Sequence, residues 1–161
     1  MPDVLSRPLI TQIRRTFSLA CRVEVRIQSS PGRIWTLLTD GGSFPRWNST
    51  VTAIDGDIRE GERIRIHVPG TDRTCTPRIS DVVQDARMTW TGGFAPFFKG
   101  VRTFELTPQP GGSTIFVMQE RFSGLMLPLV GRALPDFRPV FERYASDLKQ
   151  AAERMPALGP R

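Results

Sequence analysis

The 161-residue sequence has very few of the residues that build metal sites and nucleophilic active sites. It contains one histidine, His67, and two cysteines, Cys21 and Cys75, which are far apart and form no CxxC pair. Zinc and non-haem iron sites need several histidine, cysteine or carboxylate ligands that converge. The sequence has no GxSxG or Cys–His nucleophile motif either. We therefore expect no metal and no cofactor, and we interpret both cysteines as reduced, buried thiols.

The sequence also lacks a long apolar run. No stretch approaches the ~20 residues of a transmembrane helix, and Pro8, Arg14 and Arg15 interrupt the N-terminal stretch, unlike a secretory signal. We therefore expect a cytoplasmic protein without integral membrane association. The length suits one domain with a single core. We predict an N-terminal arm over residues 1–17, one ligand-binding domain over residues 18–155 and a flexible tail over residues 156–161.

Lysine is almost absent from a chain that is nevertheless basic. The net charge is +6, and of the 22 basic residues only Lys99 and Lys149 are lysine. Nucleic-acid-binding proteins usually cluster their basic residues into a patch, whereas these arginines are scattered singly along the sequence. We interpret them as a solvated outer face and expect no nucleic-acid partner. The alternative is an arginine-rich outer sheet face that binds an acidic partner.

The sequence does contain the alternation of apolar and polar residues that is typical of a half-buried sheet. In LACRVEVRIQ, residues 19–28, this alternation predicts a strand with one wet face. The following SSPGRIWTLLTD predicts a short helix, with a serine cap and Pro31 in its first turn. SFPRWN predicts a second helical turn that leaves Trp47 exposed. From Val51 to Phe122 the pattern predicts six consecutive antiparallel strands.

The period of the pattern changes in the last segment, where apolar residues recur at spacings of three and four. This spacing predicts a long amphipathic helix that Asp136 caps. Its apolar face consists of Phe137, Val140, Phe141, Tyr144, Leu148, Ala151 and Met155. A sheet with one wet face must cover its other face, and this helix is available to do so. We therefore predict an α+β fold with seven strands, two short helices after the first strand, and a long C-terminal helix.

The order of these elements resembles a known superfamily. With SSPGRIWTLLTDGGSFPRWN near the start and GGSTIFVMQERFSGLMLPLVGRAL before the last helix, the chain is similar to START/Bet v 1-like (SRPBCC) proteins. Within these it most resembles the polyketide cyclase/dehydrase-like branch, over Leu19 to Met155. The resemblance implies a helix-grip fold, in which a curved seven-stranded antiparallel sheet wraps around the C-terminal helix and encloses a ligand cavity. Members bind or transform lipids, polyketides, sterols and other apolar molecules.

One residue departs from the pattern of this branch. Arg102 stands where members often carry a histidine, and a guanidinium cannot act as a general base near neutral pH. On the predicted register, Arg102 faces the sheet interior together with Glu120. For Glu120, we favour an ion pair with Arg102 over contact with a ligand, because an unpaired buried carboxylate is costly.

The predicted ligand site is the inward face of the last strands and of the terminal helix. Its expected residues are Trp90, Arg102, Phe104, Phe116, Met118, Glu120, Phe122, Met126, Phe137, Phe141 and Tyr144. Ligand pockets of this kind are mostly apolar with a few convergent polar groups. The same side chains could instead simply fill a core. For each aromatic residue taken alone, we favour core packing over contact with a ligand.

These observations favour a non-catalytic protein that binds or carries a small hydrophobic or amphipathic molecule, lipid- or polyketide-like, in an internal cavity. The alternative is a polyketide cyclase/dehydratase-type enzyme that uses Glu120. That alternative rests on the resemblance, because the sequence shows no second acidic or histidine partner for general acid–base chemistry. The ligand's identity and the oligomeric state stay open, with a homodimer among the options.

Overall fold

The computed structural model describes residues 3–70 and 72–154. Within these residues the chain forms nine strands and four α-helices. Their order is β1 (Leu9–Arg15), β2 (Ser18–Ile27), α1 (Pro31–Thr39), α2 (Phe44–Trp47), β3 (Ala53–Asp55), β4 (Arg65–His67), β5 (Thr74–Cys75), β6 (Arg78–Val83), β7 (Arg87–Phe94), β8 (Phe98–Pro108), β9 (Thr114–Ser123), α3 (Leu127–Val130) and α4 (Arg138–Arg154). The predicted α+β class is therefore confirmed, as are the two short helices and the long C-terminal helix.

Six strands form the large sheet, in the order β1-β2-β9-β8-β7-β6, and every neighbouring pair is antiparallel. The predicted alternation in β2 is present, since every second residue from Leu19 to Ile27 is buried. From Cys21 to Ile27 these buried side chains form one core with those of α4, which packs against β1 and β2. The site predicted between sheet and helix thus lies at a real interface.

The prediction of one seven-stranded sheet is wrong in its strand number. β3, β4 and β5 form a separate three-stranded sheet. The stretch predicted as one strand over TCTPRISDVV divides into β5 and β6 around Pro77, which has no N–H to donate to a sheet. Cys75 lies in the short strand β5 and is exposed, so the prediction that it is a buried thiol is also wrong; Cys21 is buried, and both thiols are free.

The sixth strand of the large sheet comes from the segment predicted as an arm. β1 pairs along its whole length with β2, from Leu9 opposite Glu24 to Arg15 opposite Ser18. As an edge strand it is mostly exposed, so its sequence shows little alternation of apolar and polar residues. Met155 and the predicted tail, 156–161, lie outside the described residues.

The helices begin where the sequence places their caps. The Ser30 hydroxyl accepts a hydrogen bond from Arg33 N at the start of α1, and an Asp136 oxygen accepts one from Arg138 N at the start of α4. α1 and α2 pack against α4, where Phe44 and Trp47 contact Tyr144. None of the described helices combines the length and apolarity needed to cross a membrane.

Candidate functional site

Arg102 and Glu120 lie directly opposite each other on β8 and β9 and form an ion pair. Arg102 donates to Glu120 Oε2 from Nε at 3.0 Å and from Nη2 at 2.5 Å. The side chains of Arg102 and Glu120 are only 20% and 14% exposed. The guanidinium carbon lies 5.5 Å from the centroid of the Phe141 ring, which is within cation–π range. The register predicted from the sequence therefore gives this pair correctly.

The pair keeps unused polar atoms. Both hydrogen bonds end on Oε2, and no hydrogen bond within the described residues uses Glu120 Oε1 or Arg102 Nη1. Burial disfavours the charge on Arg102, but the Glu120 carboxylate more than offsets this, and the pKa of Arg102 ends above its usual value. Arg102 therefore stays charged and presents a free donor beside a free acceptor on Glu120.

Four phenylalanines lie beside the ion pair, and we call them the phenylalanine cluster: Phe98, Phe122, Phe137 and Phe141. Ring centroids are 5.7 Å apart for Phe98 and Phe122, 5.0 Å for Phe122 and Phe137, and 6.5 Å for Phe137 and Phe141. Only Phe141 is fully buried, while the other three are half-buried. Phe98 is absent from the predicted set, although the β8 alternation that selects Arg102 and Phe104 includes it.

A second aromatic group lies deeper between the sheet and α4. Trp90 packs on Phe104 with centroids 4.8 Å apart, Phe104 lies 6.2 Å from Tyr144, and Trp47 lies 5.9 Å from Tyr144. The polar atoms Trp90 Nε1, Trp47 Nε1 and Tyr144 Oη are buried without a hydrogen-bond partner in the described structure. Trp47 is therefore packed against α4 rather than exposed in a turn, because α2 turns it toward Tyr144.

The structure brings most of the predicted site residues to one interface. Trp90, Phe104, Phe116, Met118, Phe141 and Tyr144 are buried there, and Arg102, Glu120, Phe122 and Phe137 are half-buried. The exception is Met126, which is 43% exposed and donates its backbone N–H to the Phe97 carbonyl at the surface. Met126 precedes α3 rather than extending β9, so the alternation of the strand does not reach it.

Two clefts of the described structure lie outside this interface. One, of about 430 Å³, runs between the end of β1 and α3. The other, of about 380 Å³, is lined by residues such as Gly41, Gly56 and Asp57. Neither is lined by the predicted set, whose inward aromatic side chains pack against one another in the core.

The amino-acid sequence also matches a known protein family. The profile of the family described as polyketide cyclase / dehydrase and lipid transport matches residues 19–156. The chain belongs to this family. The resemblance to SRPBCC proteins is thereby confirmed. Membership of this polyketide cyclase / dehydrase and lipid transport family supports either ligand binding or cyclase chemistry and does not decide between the two. A comparison with curated proteins finds no match.

Solved structures share the fold of this family member. Protein MLL2253 from Mesorhizobium loti is 23% identical, with a TM-score of 0.68 over 84% of this chain and 98% of its own. CalU16 from Micromonospora echinospora is 18% identical, with a TM-score of 0.60 over 92% and 87%. A START superfamily protein from Mycobacterium smegmatis is 15% identical, with a TM-score of 0.61 over 83% and 97%. At these identities the likeness concerns the fold alone.

Proposed function

We propose that this protein binds a small amphipathic molecule between the large sheet and α4, with the molecule's polar end at the Arg102–Glu120 pair. The observation that carries the proposal is the setting of this pair, since two largely buried charged groups lie beside the phenylalanine cluster. Removing charges from water costs free energy. Replacing a buried ion pair by apolar residues is often neutral or stabilising, so stability alone does not account for the pair.

The free atoms of the pair define the chemistry that it could recognise. Arg102 Nη1 can donate to a carboxylate, phosphate or carbonyl oxygen, and Glu120 Oε1 can accept from a hydroxyl. A polar end that has an acceptor next to a donor, such as a hydroxy acid or a hydroxy ketone, would satisfy both. The apolar remainder would lie against the phenylalanine cluster, of which three rings are half-buried and accessible.

The deeper aromatic group supports a further polar contact. Buried donors in native proteins nearly always have a partner, and Trp90 Nε1 and Tyr144 Oη have none among the residues that the structure describes. Both belong to one chain of touching rings through Phe104. An acceptor oxygen on the inserted molecule would pair with either group.

The titratable groups favour binding over catalysis. Burial raises the pKa of Tyr144 well above its usual value, although Arg102 opposes the shift. Burial, with the negative charges of Asp136 and Glu120, raises the pKa of Cys21 to about 11. Both groups stay protonated at neutral pH, whereas efficient general acids and bases have a pKa near the working pH. A polyketide cyclase or dehydratase remains the second candidate, and the observation that favours it is the free Glu120 Oε1, which could accept a proton.

The test compares two ion pairs of the same kind. Arg102→Met/Glu120→Gln removes both charges at the proposed site, and Asp57→Asn/Arg59→Met removes an exposed pair elsewhere. With dodecanoate as the probe and tryptophan fluorescence as the readout, we expect the first variant to bind at least about tenfold more weakly, because a hydrogen bond to a charged group is lost. The second variant should bind like the wild type. Native mass spectrometry of protein purified from its host should show a bound small molecule.

Three results would decide against the proposal. Failure of the wild type both to carry a co-purified molecule and to bind dodecanoate would contradict it. Equal binding by the wild type and by Arg102→Met/Glu120→Gln would assign the pair a structural role. Turnover of a β-ketoacyl substrate that Glu120→Gln abolishes, while the folded variant still binds dodecanoate, would favour the enzyme instead.

A further inference from the structure

Three chain segments meet at one end of the large sheet, beyond the phenylalanine cluster. They are the β1–β2 hairpin, the β7–β8 hairpin and the segment between β9 and α3. Backbone hydrogen bonds join them: Gly124 N donates to Phe17 O at 3.2 Å, Leu125 N to Pro96 O at 3.0 Å and Met126 N to Phe97 O at 3.0 Å. The three segments therefore form one connected surface.

Two glycines allow close backbone contacts here, Gly93 within the β7–β8 hairpin and Gly124 between this hairpin and the segment after β9. Gly93 and Gly124 have φ of +83° and +139°, a region that favours glycine. A Cβ at Gly93 would overlap the Phe98 carbonyl oxygen, and one at Gly124 would overlap the Phe97 carbonyl oxygen. The loops are thus built to pack backbone against backbone, which turns their side chains outward.

The side chains on this surface are apolar and exposed. Phe94 is 77% and Leu129 79% exposed. We define the tip surface as Phe17, Phe94, Phe97, Leu125, Met126 and Leu129. These are six of the eleven exposed large hydrophobic residues in the described part of the chain. Exposed apolar side chains gathered in one place mark a binding surface more often than an ordinary solvent-facing one.

The positive charge of the protein is concentrated in these three segments and the residues that flank them. Residues 12–18, 93–99 and 121–135 contain five basic residues and no acidic one, whereas the rest of the sequence contains 17 basic and 16 acidic residues. The five are Arg14, Arg15, Lys99, Arg121 and Arg132. Nearly all of the net charge of +6 therefore belongs to the segments that carry the tip surface.

Three of these arginines line the 430 Å³ cleft, whose remaining walls include Leu19, Leu127 and Pro128. Arg14 Nη1 donates to the Gly131 carbonyl at 2.6 Å, which ties the β1–β2 hairpin to the end of α3. The side chains of Arg15 and Arg132 make no hydrogen bond or ion pair within the described residues. The neighbouring carboxylate, Asp136, is bound by the Arg138 guanidinium at 2.8 Å. The cleft thus offers two unpaired guanidinium groups above an apolar floor.

We propose that this end of the molecule docks on an anionic membrane surface, with the tip surface inserted among the lipids and Arg14, Arg15 and Arg132 against their phosphates. Apolar and aromatic side chains beside basic ones are the combination that binds such an interface. A nucleic acid would match the charge but would leave the aliphatic tips Leu125 and Leu129 in water. A second copy docking through the same face would set five like charges against five. The inference goes beyond the proposed function and does not depend on it.

The test measures co-sedimentation with two kinds of vesicle. One kind contains phosphatidylglycerol and phosphatidylcholine in equal amounts, and the other contains phosphatidylcholine alone. We expect the wild type to bind the anionic vesicles, and to bind them less as salt is added. Phe94→Ser/Leu129→Ser should weaken binding about tenfold or more, because two inserted side chains are lost. Arg15→Glu/Arg132→Glu should weaken it to a similar extent.

Matched controls lie at the far end of the fold. Val83→Ser alters an exposed apolar residue that pairs with Arg87 at the start of β7, whereas Phe94 lies at the end of that strand. Arg154→Glu reverses an exposed charge in the last turn of α4. Both should bind vesicles like the wild type. Absence of wild-type binding, equal binding to both kinds of vesicle, or equal losses in the controls would overturn the inference. So would a tip variant that changes the oligomeric mass and leaves vesicle binding intact. Ligand binding, measured without vesicles, tests the proposed function separately.

Discussion

The two ends of the interface between the large sheet and α4 are covered to different extents. At the closed end, α1 and α2 pack against α4, and Ile34, Leu38 and Phe44 are fully buried. At the open end, where α4 begins, Phe122 and Phe137 are half-buried beside the Arg102–Glu120 pair, and the tip surface lies beyond them. Phenylalanine occurs at both ends, so residue type alone does not explain the difference.

What differs is the presence of a covering element. Phenylalanine in contact with α1 and α2 stabilises the fold by burial, worth ~1.5–3 kcal/mol for each large side chain. At the open end Phe98, Phe122 and Phe137 are only half-buried, and we propose that a ligand or a membrane contacts phenylalanine there. We therefore expect substitutions at the closed end to change the free energy of unfolding, and substitutions at the open end to change binding.

The largest effect should come from replacing one phenylalanine at each end. Phe44→Ala at the closed end should lower the free energy of unfolding by ~3–5 kcal/mol, because it leaves a cavity against Trp47 and Tyr144. Phe94→Ala on the tip surface should change it by less than ~0.5 kcal/mol. Urea denaturation of both variants measures the difference. Similar losses in the two variants would show that the open end is also core.

An intermediate effect should come from the ion pair. Arg102→Met or Glu120→Gln alone leaves a largely buried polar partner, and we expect each to cost ~1–3 kcal/mol. This is less than for a fully buried pair, because both groups keep some contact with water. The double variant should recover most of the loss, and a double-mutant cycle by urea denaturation measures the recovery. Additive losses would mean that the two side chains stabilise the fold independently.

The sequence predicts those parts of the fold in which each element has one buried and one wet face. In β2, β8 and β9 the alternation of apolar and polar residues places Phe104, Phe116 and Met118 inward and sets Arg102 opposite Glu120. The three- and four-residue spacing similarly places Phe141 and Tyr144 on the buried face of α4. In these elements local pattern and burial agree, so the inward residues of the candidate site could be predicted.

The parts that the sequence does not predict depend on contacts between distant segments. β1 is an edge strand that pairs only with β2 and has few buried residues, so its sequence shows no clear alternation of apolar and polar residues. The tip surface exists only because the segment of Met126 is hydrogen-bonded both to the segment of Phe97 and, between Gly124 and Phe17, to a segment more than a hundred residues away in sequence. For the same reason arginines that stand singly along the chain, such as Arg132, belong to one basic cluster in space.

The smallest expected effect is a loss of stability at alkaline pH, to which each end contributes one buried group. Cys21, opposite Glu120 at the open end, has its pKa raised from 9.0 to about 11, mainly by burial. Below pH 9.0 the thiol is protonated in both the folded and the unfolded state, so its full contribution to the free energy of unfolding is present. Above that value the unfolded chain loses its proton first, so stability falls as pH rises toward about 11. Tyr144, packed against α2, has its pKa raised above 10.0, and its contribution therefore begins to fall at higher pH.

Urea midpoints measured at increasing pH can separate the two ends. Cys21→Ala should flatten the first part of the fall in urea midpoint with pH. Tyr144→Phe should flatten only the later part of that fall, because tyrosine in the unfolded chain ionises at higher pH than cysteine. Tyr144→Phe also removes a buried hydroxyl that has no partner within residues 3–70 and 72–154, so it should cost little at neutral pH. If the urea midpoint of Cys21→Ala fell with increasing pH as steeply as that of the wild type from pH 9.0 upward, water would already reach the thiol in the folded protein. The open end would then extend past the ion pair to the inner face of β2.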